Sequence, residues 1–235
     1  MNSNEFLDKL RLAESCKTIY IKGCFGAPMN AANKKRYTTN LAYNANRAAM
    51  INACSADTFG FDCVCLIKGI LWGWNADPNK TYGGAVYKSN GVPDVGADGI
   101  VKYLIDCTTD FSNIIPGELV WMSGHVGVYV GNGKVVECTP KWTNDVQYSN
   151  LGNIGNKTGN WRNWTKHGKL PWVEYVSPAT SEKPVETPNA EPQAVYYTVQ
   201  KGDTLSKIAL NAILALNPQI TNPSKIYAGQ KIRVR

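Results

Sequence analysis

With 235 residues, 43% of them hydrophobic and 18% charged, the chain has room for one medium-sized domain and a small one, and its composition excludes a disordered chain. No stretch approaches the roughly 18 consecutive apolar residues of a membrane-spanning helix; the richest, Leu66 to Trp74, is interrupted by Lys68 and two glycines. The formal charge of +7 is uneven, with +4 on residues 1–176, −2 on 177–194 and +5 on 195–235, so the C-terminal segment suits a polyanion, either nucleic acid or an anionic polymer of a bacterial wall.

The opening residues, MNSNEFLDKLRLAES, contain acidic side chains and no continuous apolar core, which does not read as a secretory signal. The expectation is a protein made in the cytoplasm that reaches an external site by another route. The seven cysteines (Cys16, Cys24, Cys54, Cys63, Cys65, Cys107 and Cys138) are odd in number and irregularly spaced, which predicts reduced thiols rather than a disulfide framework. Residues 63–74 place apolar side chains at 63, 64, 66, 67, 70 and 71, directly after Asp62, which predicts a helix with Asp62 as its N-cap. Residues 75–98, rich in Gly, Asn, Asp and Pro, read as a loop.

Strands are predicted at 118–122 (ELVWM), 126–130 (VGVYV) and 134–136 (KVV), the last two joined by a hairpin turn at Asn132-Gly133. Residues 177–194 hold four prolines among Ser, Thr, Glu and Ala and read as a semi-extended tether. Beyond it, 195–235 open with a strand ending at Gly202-Asp203. A helical stretch to Leu216, an Asn/Pro-rich loop and a final strand, KIRVR, follow. A helix followed by antiparallel strands is an α+β pattern. The expected division is a domain at 1–176, a linker at 177–194 and a small domain at 195–235.

Three residues attract attention chemically. A thiolate is favoured at a helix N-terminus, where backbone amides supply partial positive charge, and Cys63 occupies that position. The chain has two histidines. His125 opens a strand, which fixes its direction, and is the candidate base; His167 reads as an exposed or structural residue. Glu137, on the paired strand, would accept a hydrogen bond from the imidazole. That assignment is conditional on register: with a plain two-residue turn Glu137 faces away from His125, whereas an odd-length turn or a bulge sets it opposite Gly127 and on the face of His125. A zinc site from Cys63, Cys65 and His125 is disfavoured by the Cys-x-Cys spacing and the lack of a fourth ligand.

FDCVCLIK (61–68) resembles the nucleophile motif of the NlpC-type cell-wall cysteine peptidases, and PGELVWMSGHVGVYVGNGKVVEC (116–138) resembles their histidine segment. Val64 and Cys65 stand where that family usually has Ser and Gly. Glu137 stands where His, Asn or Gln is more frequent, a carboxylate being closer to the related CHAP amidases and peptidases. The resemblance implies a papain-like α+β fold, with a helix packed on an antiparallel sheet. It implies Cys63 as nucleophile, His125 as base and Glu137 as orienting residue, with Tyr20 and Asp62 on the substrate side. The later segment WRNWTKHGKLPWVEY is similar to the tail of endolysins from phages of Gram-positive hosts.

Residues 195–235 resemble LysM, a βααβ module that binds N-acetylglucosamine polymers, through YTVQKGDTLSKIA, ALNPQI and IYAGQKIRV. The ligand loops implied are Gly202, Asp203, Thr204 and Leu205, and Asn217, Pro218, Gln219 and Ile220. Only Leu210 joins the segments that normally form the two helices.

Together these resemblances imply a bacterial-wall hydrolase of endolysin type that cuts an amide of the peptide stem. The amide between N-acetylmuramic acid and L-alanine is the alternative bond, and a non-catalytic wall-binding protein the alternative class. The implied partner is peptidoglycan, through both its peptide stem and its N-acetylglucosamine glycan. Nucleic acid, membrane, metal and cofactor are not implied, and the protein is expected to act as a monomer at the wall after release from the cytoplasm.

Overall fold

The computed structural model describes residues 1–175 and two strands of the tail, 196–198 and 231–233. The chain divides into two units, Met1–Ala179 and Thr180–Arg235. The first begins with helix α1 (Ser3–Ser15), an element that the sequence reading did not assign. Asn2 and Glu5 form a capping box: the Asn2 side chain accepts from the Glu5 amide at 2.9 Å, and the Glu5 carboxylate accepts from the Asn2 amide at 3.1 Å. Two otherwise unpaired N-terminal donors are thereby satisfied. Phe6, Leu7, Leu10 and Ala13, at helical spacing, are buried on one face.

A small sheet follows, made of β1 (Thr18–Tyr20), β2 (Phe25–Pro28) and β3 (Phe59–Phe61) in the order β1-β3-β2. β1 runs parallel to β3, and β2 antiparallel to it. The connection from β2 to β3 contains α2 (Ala31–Asn40), α3 (Ala42–Ala45) and α4 (Ala48–Ala53). β3 passes through Asp62 directly into α5 (Cys63–Leu71), every residue of which is buried. That includes Lys68, whose ammonium pairs with Asp94 and donates to the Val95 carbonyl at 2.9 Å, as a buried cation requires. The helix stops at Leu71, short of the apolar run's end at Trp74, and Gly73 follows at φ 95°, a conformation that suits glycine.

After the turn-rich segment to residue 96 comes α6 (Ala97–Ile100). The main sheet is built from β4 (Ile105–Thr108), β5 (Leu119–Met122), β6 (His125–Gly131), β7 (Lys134–Thr139), β8 (Asp145–Leu151), β9 (Trp161–Arg162) and β10 (Lys166–Lys169). Its order is β4-β10-β5-β6-β7-β8-β9, antiparallel except for the short β8–β9 pair.

Side-chain alternation gives the sheet two apolar faces. Val126, Val128, Val136, Cys138 and Val146 belong to the core that contains α1 and α5, including Leu66, Ile67 and Ile70. Val120, Tyr129, Val135, Leu151 and Trp164 belong to a second core on the other side. The first unit is therefore an α+β domain in which a buried helix packs on an antiparallel sheet.

In the second unit, β11 (Tyr196–Thr198) pairs antiparallel with β12 (Lys231–Arg233), Tyr197 opposite Ile232. The Pro-rich segment 177–194, the helical stretch expected in the tail and the loop residues Gly202, Asp203, Thr204, Leu205, Asn217, Pro218, Gln219 and Ile220 lie outside the described residues.

Candidate active site

The junction of β3 and α5 positions Cys63. Asp62 caps the helix as expected: one carboxylate oxygen accepts from the Cys65 amide at 2.7 Å and the other from the Gly23 amide at 2.7 Å. The cap has an electrostatic consequence opposite to the one expected of a helix N-terminus. Burial pushes the Cys63 thiol up to about 12, and the negative charge of Asp62 adds to the rise, against backbone amides of Val126, Val64 and Cys63 that lower it. Cys63 is 6% exposed. The thiol is therefore held protonated until something else takes its proton. Its contact with the Val126 amide sets it one residue from His125, at the start of β6. Among the described residues, no hydrogen bond joins the Cys63 sulfur to the imidazole.

The hairpin β6–β7 meets the register condition through a bulge. Asn132 and Gly133 both have positive φ (51° and 68°), the conformation of a two-residue type I′ turn. Gly131 pairs with Lys134 across it, and the register then shifts, so that Tyr129 faces Val135 and Val128 faces Val136. Continuing that register sets Gly127 opposite Glu137 and brings Glu137 onto the face of His125. The two side chains meet, with His125 Nε2 2.6 Å from Glu137 Oε2.

Glu137 is fully buried and has three further donor contacts. Ser149 Oγ donates to Oε1 at 2.5 Å, and Arg162 Nε donates to Oε1 and Oε2 at 3.0 and 2.8 Å. Burial alone would push this carboxyl up; the His125 hydrogen bond, the charge of Arg162 and the Ser149 hydroxyl outweigh it and hold it below its ordinary 4.5. An ionised Glu137 only accepts, so the proton of this hydrogen bond sits on His125 Nε2, and Nδ1 is the ring nitrogen not engaged by the carboxylate. The imidazole stacks on Trp164, with ring centroids 5.5 Å apart and planes 15° from parallel.

Ser149, Arg162 and Trp164 were not identified from the sequence. They sit on β8, on β9 and just after β9, and no local spacing links them to His125. The only sequence signal, for Arg162 and Trp164 alone, was the similarity of WRNWTKHGKLPWVEY to the tail of endolysins. Arg162 is also held over the Trp142 ring at 4.7 Å and donates to Thr139 Oγ1 at 3.1 Å. It borders an open groove of about 400 Å³ whose other walls include Lys141, Trp142 and Trp161.

A groove of about 440 Å³ is lined by the cap residue Asp62 with Val64, Cys65, Gly23 and Leu41, among others. Tyr20 pairs with Phe61 across β1–β3. Burial first, then the charges of Cys63 and Asp62, raise its phenol well above the ordinary value, which places Tyr20 beside both. His167 is buried rather than exposed: Nδ1 is 2.7 Å from Glu118 Oε2 and Nε2 is 2.8 Å from the Asp110 carbonyl, a structural position. Among the described residues, no three His, Cys, Asp or Glu side chains converge as a metal site requires. No helix among them is long and apolar enough to cross a membrane.

Residues 197–235 match the LysM domain. The chain is 34% identical over 107 residues to the endolysin of Bacillus phage B103, a match that covers 38% of this chain and 41% of that protein. It thus spans about two fifths of the curated relative's length. Similar solved structures include NlpC1 from Trichomonas vaginalis (TM-score 0.37, 16% identity, 72% of this chain and 44% of that one) and NlpC2 from the same organism (TM-score 0.38, 14% identity, 72% and 46%). The similarity to a phage endolysin thus covers part of each chain, and the LysM match lies at the C-terminal end.

Proposed function

We propose that the chain is a peptidoglycan hydrolase that cuts an amide of the peptide stem by thiol chemistry, with the LysM domain holding it on the glycan. The observation that carries this reading is the buried Glu137 bonded to His125 Nε2, with the Cys63 thiol, at the N-terminus of a buried helix, meeting the amide of the next residue, Val126. The domain division proposed is catalysis in 1–176, a linker in 177–194 and glycan binding in 195–235. Gly202, Asp203, Thr204, Leu205, Asn217, Pro218, Gln219 and Ile220 are the glycan-binding residues, and Tyr20 and Asp62 flank the nucleophile on the substrate side. Release of the protein to the wall and action as a monomer belong to the same proposal.

In this mechanism His125 Nδ1 takes the Cys63 thiol proton as the sulfur attacks the amide carbonyl carbon. The carbonyl π bond opens to an oxyanion, stabilised by backbone amides that include that of Cys63. Collapse breaks the C–N bond, and Nδ1 returns its proton to the leaving amine. Water then attacks the thioester, giving a proton to Nδ1. The carboxyl product leaves as the C–S bond breaks, and the sulfur recovers the proton. Glu137 keeps the ring oriented throughout and offsets the charge of the transient imidazolium. The pKa of about 12 at Cys63 implies that sulfur attack and proton transfer are coupled, since a free resting thiolate is scarce.

A second reading has a specific observation in its favour. The thiol is protonated and lacks a hydrogen bond to the imidazole, and a glycan-binding domain is attached, which together suit a wall-binding protein without turnover. Digestion of purified Gram-positive peptidoglycan separates the two. Release of fragments by the wild type and not by Cys63→Ala supports hydrolysis, and mass spectrometry of the new termini identifies the bond, the muramoyl-L-alanine amide included. Tight sedimentation with the wall but no fragments from either protein supports the binding reading.

A further inference from the structure

The orienting carboxylate is shared between an imidazole and a guanidinium, and only the guanidinium carries a permanent charge. Arg162 reaches Glu137 through Nε alone, with one N–H divided between Oε1 and Oε2 at 3.0 and 2.8 Å. Its Nη2 is tied to Thr139 Oγ1 on β7, the strand that carries Glu137, and its plane lies over Trp142. These contacts fix the guanidinium from three directions, with a side chain only 13% exposed. Ser149 supplies the remaining donor to Oε1. His125, by contrast, contacts only Oε2.

From this geometry we infer that Arg162 is a positioning residue: it satisfies the charge of Glu137 so that His125 rests as a neutral imidazole, protonated on Nε2 and basic at Nδ1. The inference rests on the hydrolase reading for its functional meaning. A guanidinium is charged at every working pH. A fully buried carboxylate whose only cationic partner was His125 would draw a proton onto the pair, as imidazolium or as carboxylic acid. Either form spoils the resting base: an imidazolium has no lone pair on Nδ1, and a protonated glutamate cannot accept from Nε2–H. With Arg162 present, adding that proton creates a second positive centre against one negative charge, and the neutral ring is favoured.

Other groups around the ring do not replace this effect. Trp164, stacked on the imidazole, has no charge, and Ser149 donates a hydroxyl without one. Asp98 binds the Gly124 amide at 2.7 Å and the Trp121 indole at 3.0 Å; this negative charge beside the start of β6 favours the imidazolium and so makes the counterweight more necessary. Asp62, beyond Cys63, acts in the same direction.

The test uses the full-length chain in a Cys63→Ala background, which removes the thiol's own titration. With two histidines in the chain, their ring signals can be followed separately by NMR across pH. Arg162→Gln is expected to raise the His125 midpoint by about one pH unit or more, a tenfold change in protonation, while Arg162→Lys, which keeps the charge, stays close to the parent. His167, bonded to Glu118 and Asp110 elsewhere, serves as the internal control and should not move. An unmoved or lowered His125 midpoint in a folded Arg162→Gln protein overturns the inference. If that variant does not fold, Arg162→Lys decides: a midpoint one unit above the parent shows that hydrogen-bond geometry, not charge, sets the ring's state.

On the Cys63 protein, the acid limb of hydrolysis should shift upward in Arg162→Gln and return in Arg162→Lys; an unshifted limb counts against the inference. The titration needs no substrate, so its failure is distinct from failure of the hydrolase reading, which shows as absent wall fragments.

Discussion

Replacing Asp62 by Asn isolates the charge that opposes thiolate formation at Cys63. The amide keeps an acceptor for the Cys65 amide, so the helix cap survives. Its NH2 cannot accept from the Gly23 amide, the other 2.7 Å contact, and that lost bond costs about 1–2 kcal/mol of stability. The charge effect is larger. Two unit charges about 5 Å apart at an effective dielectric near 20 interact by about 3 kcal/mol, or roughly two pH units, and solvent relaxation brings this towards one unit.

The Cys63 thiol, at about 12 in the wild type, should fall correspondingly. Below that value each unit gives about tenfold more thiolate, of which reduced nucleophilicity removes about a factor of three, leaving alkylation about three times faster per unit. The assay is a timed iodoacetamide pulse at pH 8, with fragment-ion spectra that separate Cys63 from Cys65 in the shared peptide. Unchanged or slower labelling of Cys63 in a folded variant refutes the assignment of the charge effect to Asp62. Loss of amide-exchange protection along α5 in the variant also refutes it, because fraying of the helix rather than charge would then be the cause.

Glu137→Gln should destabilise the first unit by about 3–5 kcal/mol, since it leaves Arg162 without its carboxylate in a mostly buried site; a urea midpoint equal to that of the wild type contradicts the ion pair. The same variant should lose part of the wild type's acid sensitivity. Glu137 is depressed below 4.5 in the native state, so its stabilisation is present above that value and lost as pH falls through the native one.

At the alkaline end, Cys24 (about 11) and Cys63 (about 12) hold their protons where unfolded thiols, near 9.0, release them. The unfolded chain then binds fewer protons, and stability should decline as pH rises above about 9; a constant denaturation midpoint from pH 8.5 to 10.5 argues against it. Gly69→Ala should destabilise by about 1–3 kcal/mol despite the roughly 1 kcal/mol gain in helix propensity, because a Cβ there would lie 2.7 Å from the Phe25 carbonyl oxygen. Thermal melting checks the sign.

Local chemistry was legible in the sequence wherever neighbours in the chain determine it. Asp62 before an apolar helical run specified both the start of α5 and its cap. The alternation around Asn132-Gly133 specified the β6–β7 hairpin, because a turn with two positive φ angles selects those residue types. The α1 capping box was equally written in Asn2 and Glu5 and was not recognised. The segments YTVQKGDTLSKIA, ALNPQI and IYAGQKIRV sufficed to identify the LysM domain.

Tertiary structure decided what depends on register and on distant strands. The bulge between Tyr129 and Gly131 selects the face of Glu137, and a one-residue choice of this kind has no local signature. Ser149 and Arg162 reach the same carboxylate from 12 and 25 residues away, brought there by the ladder from β7 through β8 to β9. The sign of the electrostatics at Cys63 was also a matter of three dimensions. A helix N-terminus alone favours a thiolate, but burial and the Asp62 carboxylate reverse that preference, and both are properties of the packed site rather than of the order of residues.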